Sequence, residues 1–174
     1  MILPIVAYGH PTLRRVAVDI EPGHPGLDEL IENMFETMHS AEGVGLAAPQ
    51  VNHGIRLFII DAEPYGEEHP ELKDFKKVFI NPHIIEESGE EWSFNEGCLS
   101  IPKIREDVMR KPRVRIQYRD REFAAHDEVY DGIIARVIQH EYDHLEAKLF
   151  VDRINPLRKI LLKKKLADIT SGNI

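Results

Sequence analysis

One cysteine, Cys98, is all the thiol chemistry this 174-residue chain holds. That excludes an internal disulfide framework and suits a reducing compartment. Long hydrophobic runs are also missing. No stretch approaches the roughly 18 apolar residues of a membrane-spanning helix, so no membrane partner is expected. The opening Met1-Ile2-Leu3-Pro4-Ile5-Val6-Ala7 has no basic segment, and Pro4 interrupts it. It does not read as a secretory signal, and a cytoplasmic monomer is the expectation. Positive charge is in deficit, with 22 Lys and Arg against 30 Asp and Glu and a net charge of −8. Such a body is not a general nucleic-acid binder. The deficit is uneven. Residues 156–174 carry Arg158, Lys159, Lys163, Lys164 and Lys165 against Asp168, a net +4 that leaves −12 on the rest. Internal repeats and low-complexity tracts are absent. The length fits a single domain over 1–174, with a core that needs no disulfide.

What is present begins with Leu27, Leu30, Ile31, Met34, Phe35 and Met38. Their spacing predicts an N-terminal amphipathic helix ending near Gly43. Strand-like runs follow at 55–61, 77–81, 84–87, 91–95, around Val108, and at 114–118 and 122–130. Residues 62–74 are polar with two prolines and read as a surface loop. Helical periodicity returns over 132–149, with Asp131 as a plausible N-cap. The basic tail over 156–174 reads as a C-terminal helix with an apolar stripe of Leu157, Ile160, Leu161 and Leu166. A strand-rich middle between helices is an α+β pattern.

Within the 132–149 helix lies His140-Glu141-Tyr142-Asp143-His144, an H-E-x-x-H pattern. Residues four apart share a helix face, so both imidazoles can reach one metal ion. Glu141 is then placed to take a proton from a water on that ion. The blander reading is a core helix with two incidental histidines. A catalytic site of this kind needs a third protein ligand and an open fourth position. The downstream chain has Ala147 and Phe150 where a longer motif would have Gly and His, and no Glu follows Glu146. Asp152 and Asp168 remain downstream, neither in a recognisable ligand motif, so the third ligand is expected upstream. Cys98, in Glu96-Gly97-Cys98-Leu99-Ser100, is the strongest candidate, against the plainer reading of a small buried apolar residue. The remaining histidines, at 10, 24, 39, 53, 69, 83 and 126, show no ligand spacing and read as loop or surface residues.

A third segment, Gly43-Val44-Gly45-Leu46-Ala47-Ala48-Pro49-Gln50, follows the first helix. Structurally it reads as a cap and tight loop in which Gly43 and Gly45 supply positive φ. Functionally it reads as a close backbone approach to substrate, with the Gln50 amide as a donor.

Together, in this order, the three segments resemble the peptide deformylase family, whose pattern is G-x-G-x-A-A-x-Q, then E-G-C-x-S, then H-E-x-x-H. Tyr8 to Arg14 and Leu149 to Arg153 extend the resemblance to about Ile154. One departure is Ala147, where the family commonly has Gly; alanine fits there if φ is negative. The resemblance implies antiparallel sheets around a central metal-binding helix. It also implies removal of the formyl group from N-formylmethionyl nascent peptides. Cys98, His140 and His144 would hold one divalent ion, Fe(II) favoured and Zn, Ni or Co able to substitute. Glu141 would be the general base, with the Leu99 N–H and Gln50 amide stabilising the developing oxyanion. Val44, Ile133 and Val137 are expected to wall the methionine pocket, and Gly45 to pair with the substrate backbone. A substrate that emerges on a ribosome makes the basic 156–174 helix a candidate contact with its phosphate surface. Three competing readings remain. A metallopeptidase could use the same helix, but the absent downstream ligand and the Glu96 to Ser100 segment argue against it. A structural zinc site would need a fourth protein ligand, and there is no second cysteine. A catalytically inactive homologue is the third, and the intact Glu141 and Gln50 speak against it.

Overall fold

The computed structural model describes residues 1–173. The first periodicity forms helix α1 (Leu27–Ser40), which buries Leu27, Leu30, Ile31, Met34, Phe35 and Met38. Each of these side chains contributes about 1.5–3 kcal/mol of transfer free energy. The helix ends where the Gly43 N–H donates to the Met38 carbonyl at 2.9 Å and the Glu42 N–H to His39 at 3.1 Å. This is a Schellman end. Its left-handed residue is Glu42, with φ of 57°. Neither Gly43 nor Gly45 takes positive φ, contrary to expectation. Their lack of a side chain serves a different purpose, described below.

Five strands form an antiparallel sheet: β1 (Gly45–Ala47), β2 (Leu57–Asp61), β3 (Lys76–Ser88), β6 (Arg113–Arg119) and β7 (Ala125–Asp131), in the order β1-β2-β3-β6-β7. β4 (Trp92–Cys98) and β5 (Ile101–Arg110) form a separate two-stranded ribbon. The runs expected at 77–81 and 84–87 are one strand. Its register slips between Ile80 and His83, around Pro82, which has no N–H for the ladder. β1 was not expected, because Gly-Leu-Ala is too short to show a period. β5 showed little beyond Val108 because its inward positions alternate Ile104, Glu106, Val108, Arg110, half of them charged. Residues 62–74 are more than a surface loop. They hold two short 3-10 turns, with Ala62 and Leu72 buried.

Helix α2 (Gly132–Leu145) carries the H-E-x-x-H segment. Asp131 occupies its N-cap position, but its side chain accepts no capping hydrogen bond. The helix stops four residues short of Leu149. Lys148 N–H donates to the Asp143 carbonyl at 2.8 Å and Ala147 N–H to His144 at 3.3 Å. Ala147 is therefore the left-handed residue of a second Schellman end, at φ 60°. The expectation of negative φ there is overturned, because this end requires the left-handed well whatever the residue. The turn lets Leu149, Phe150 and Val151 bury. Helix α3 (Pro156–Thr170) is capped by Asn155, whose Oδ1 accepts from Leu157 N–H at 2.8 Å. It packs through Leu162 and Ile169, with Leu166 beside them. Leu157, Ile160 and Leu161 are 64%, 69% and 58% exposed, so most of the expected apolar stripe faces outward.

The sheet separates two cores. Along β2, Leu57 and Ile59 join the α1 cluster, while Phe58 and Ile60 join the α2 cluster. A third cluster ties the ribbon to residues 149–154 and α3. Among the described residues no helix is long and apolar enough to cross a membrane.

Candidate active site

α2 presents His140, Glu141 and His144 toward the end of β4, where the strand stops at Cys98. One ligating atom from each of Cys98, His140 and His144 falls within 4.8 Å of the others. Cys98 Sγ lies 3.5 Å from His144 Nε2. A thiolate and two imidazoles suit a tetrahedral ion with one position left for water.

The next ring of contacts orients these donors. His140 Nδ1–H donates to Glu96 Oε1 at 2.8 Å, which leaves Nε2 available to a metal. Glu96 is buried and also accepts from Arg110 at 2.8 and 3.0 Å and from Arg136 at 2.9 Å. Burial works to raise its carboxyl, but the bonds from His140 and Arg110 outweigh it and hold Glu96 well below the ordinary range. Asp143 is likewise buried, and it accepts from Arg110 at 2.9 Å and from Arg153 at 2.6 and 2.8 Å. Burial keeps His144 neutral, with its pKa lowered to about 3. His140 is nearly buried, yet Cys98 and Glu96 raise it well above the ordinary value. The field that draws a proton onto His140 also favours a cation beside it.

Glu141 stands apart from this network. Its Oε1 is buried without a partner among the described residues. Burial raises its pKa to about 7, with His140 opposing. Gly45 explains how the carboxylate fits: a Cβ on Gly45 would lie 2.7 Å from Glu141 Oε2. A Cβ on Gly43 would lie 2.9 Å from Leu99 Cδ1. Both glycines are needed for close approach. Gln50 is buried; its Oε1 accepts from Ala47 N–H at 3.0 Å, while Nε2 reaches Ser100 Oγ at 3.1 Å and Cys98 Sγ at 3.5 Å.

A cavity of about 500 Å³ opens over these groups. Val44, Gly45, Gln50, Leu99 and Val137 line it with Cys98, His140 and Glu141. Ile133, expected in the same wall, is not among the lining residues and packs on the α2 core instead. Phe94 and Arg136 line the cavity and were not singled out from the sequence. Glu96, Arg110, Asp143 and Arg153 were also missed as a network. Glu96, Asp143 and Arg153 fall inside segments already singled out but without roles of their own, and the further signal is charge at the buried positions of Glu96, Arg110 and Asp143. Of the other histidines, none is buried, and His39, His83 and His126 lie in α1, β3 and β7 rather than in loops.

Two imidazoles and a thiol around one point, beside an unpaired buried carboxylate, define a metallohydrolase-type site on an α+β scaffold. The profile of the polypeptide deformylase family matches residues 2–160. The peptide deformylase of Flavobacterium johnsoniae is 58% identical over 99% of this chain and 91% of its own length. That of Cytophaga hutchinsonii is 51% identical, over 99% and 93%. A crystal structure of peptide deformylase from Plasmodium falciparum superposes with a TM-score of 0.87 at 35% identity, covering 97% and 95% of the two chains. One from Legionella pneumophila gives 0.84 at 36% identity, with the same coverage. The chain belongs to the peptide deformylase family, metal-dependent hydrolases that remove N-formyl groups from nascent peptides.

Proposed function

We propose that Cys98, His140 and His144 hold one divalent ion in this chain, Fe(II) in preference, with Zn, Ni or Co able to occupy the same donors. The converging donors beside the unpaired Glu141 Oε1 carry this reading. When bound, the ion supplies Lewis-acid polarisation and makes water a competent nucleophile near neutral pH. Glu141 takes the proton of the attacking water and passes it to the amine nitrogen as the C–N bond breaks. Formate leaves with the new oxygen, and the peptide leaves with a free amino terminus. The Gln50 amide and the Leu99 N–H stabilise the negative charge that grows on the formyl oxygen. Ala47 and Ser100 hold the Gln50 amide in place, so little reorganisation is needed. The methionine side chain lies against Val44, Phe94 and Val137, and the substrate backbone runs beside Gly45.

The test is formate release from formyl-Met-Ala-Ser under anaerobic conditions, with metal analysis of the same sample. Formate with one equivalent of metal is expected. Cleavage of internal peptide bonds in unformylated substrates, without formate, would replace this reading with a metallopeptidase.

The whole chain is read as one functional unit that acts in the cytoplasm as a monomer. The outward face of α3, with Leu157, Ile160 and Leu161 among its lysines, supports a weak, salt-dependent contact with the ribosome surface. Replacing Lys163, Lys164 and Lys165 by Glu tests it, because none of these side chains is buried. Ribosome co-sedimentation at low salt should fall while cleavage of short formyl peptides persists. Unchanged co-sedimentation would leave α3 as packing alone.

A further inference from the structure

The cavity over Cys98, His140 and His144 continues outward past Val44, Phe94 and Val137. Its outer lining includes Glu42, Tyr65, Asn95, Lys103 and Arg105. Arg105 is already held in place. Its Nε donates to Asn95 Oδ1 at 2.8 Å, and its Nη2 to the Asn95 carbonyl at 3.0 Å. The guanidinium lies close over Gly97, where a Cβ would meet Nη1 at 2.6 Å. Among the described residues Nη1 donates to no partner and Arg105 makes no ion pair. A guanidinium fixed by two bonds with a third nitrogen left over is a preorganised donor.

Two further donors reach the same space. Lys103 stands at φ 65° in the irregular turn where Gly97 pairs with Arg105 but Cys98 pairs with Ile101. Non-glycine residues in such strained backbone recur at ligand-binding positions. The Lys103 amine makes no ion pair among the described residues. Tyr65 enters from the 62–75 segment, and its hydroxyl makes no hydrogen bond there. Burial raises the phenol pKa against the nearby charge of Arg105, so at neutral pH it remains a donor. The acids nearby do not cancel this set. Glu96 is taken up by Arg110, Arg136 and His140. Glu42 lies on the rim beyond α1, and Glu68 acts on Tyr65 from the same segment.

We propose that Arg105, Lys103 and Tyr65 form an outer subsite that binds an acidic side chain at the second or third residue of the formylated peptide. The proposal rests on the deformylase reading of the inner site. Elsewhere the negative body repels acidic peptides, and this rim reverses that locally. The contacts lie away from the reacting bond and are made equally in the ground and transition states, so the preference enters mainly through KM.

The test is formate release from formyl-Met-X-Ser and formyl-Met-Ala-X, with X as Glu, Gln or Lys. Wild type is compared with Arg105→Gln, Lys103→Gln and Tyr65→Phe. Wild type should favour Glu over Gln by about fivefold in kcat/KM at one position, the scale of a partly screened charge-assisted bond. Arg105→Gln should bring that ratio near one, and the milder Tyr65→Phe should narrow it, chiefly by raising KM for the Glu peptide. Read as a ratio within each protein, the result is insensitive to a general loss of activity. No wild-type preference for Glu at either position, or a ratio unmoved by Arg105→Gln, overturns the subsite. No formate from any peptide overturns the deformylase reading, and the subsite with it.

Discussion

Gly45 and Glu141 show how one residue's chemistry depends on what another lacks. A methyl group at position 45 would press on the Glu141 carboxylate at 2.7 Å. Gly45→Ala should therefore lower kcat about tenfold or more while metal content stays at one equivalent, since small displacements of a catalytic group are costly. Glu141→Gln keeps the shape and removes the proposed base, so turnover should fall by about 10²-fold or more, again with metal retained. Steady-state kinetics beside metal analysis separates both effects from simple loss of the ion. Glu96→Gln has a different expected signature. The buried charge facing Arg110, Arg136 and His140 disappears, so metal affinity should fall about 10- to 100-fold. Competition with a chelator measures it. Kinetics unchanged by Gly45→Ala would mean the carboxylate has room that the contact denies.

Among the elements, α1 and α2 end in the same way, and neither ends on the residue that physical chemistry prefers. Glu42 and Ala147 hold left-handed backbone, where a side chain costs about 1–2 kcal/mol. Part of that returns through the stiffer unfolded chain. Ala147→Gly should then stabilise the protein by about 0.5–1 kcal/mol, read as a higher denaturant midpoint at unchanged slope. A lower midpoint would mean that the alanine methyl makes packing the turn needs. These helix ends also mark where reading the sequence fails. The periodicity of Leu27 to Met38 and of Ile133 to Leu145 was plain, because one face of each helix is apolar. The point at which each stops depends on a backbone well that neither Glu nor Ala announces. β5 was hidden for another reason: Glu106 and Arg110 point inward, so its alternation is one of burial and not of hydropathy. The cluster of Cys98, His140 and His144 was legible because H-E-x-x-H and the single cysteine are rare residues in meaningful order. The walls of the cavity were less so, since Phe94, Arg136 and Tyr65 meet there only through the fold.

For the whole molecule, the buried charges set how it meets acid. Glu96 and Asp143 both have carboxyls held below their ordinary values by arginine and, for Glu96, histidine partners, against the pull of burial. Their stabilisation is complete above the unfolded carboxylate range of about pH 4 and is lost as pH falls through and below it. The part of the thermal midpoint that these two carboxylates supply should hold nearly level from neutral pH to about pH 5 and then drop steadily. In Glu96→Gln the neutral-pH midpoint should be lower and the acid slope shallower. An equal slope in the two proteins would place the acid-sensitive protons elsewhere. One further consequence follows from where the three proposed ligands originate. Cys98 ends the ribbon, whereas His140 and His144 belong to the helix that packs on the main sheet. An ion held among them, as proposed, would stitch together pieces of chain about 42 residues apart, and because the folded chain alone assembles its donors, its binding free energy would add to the stability of the fold. Chelation should therefore lower the melting temperature as well as abolish turnover. Oxidation of the Cys98 sulfur would cut the same stitch, so damage to one atom would reach both the chemistry and the hold of a strand on a helix.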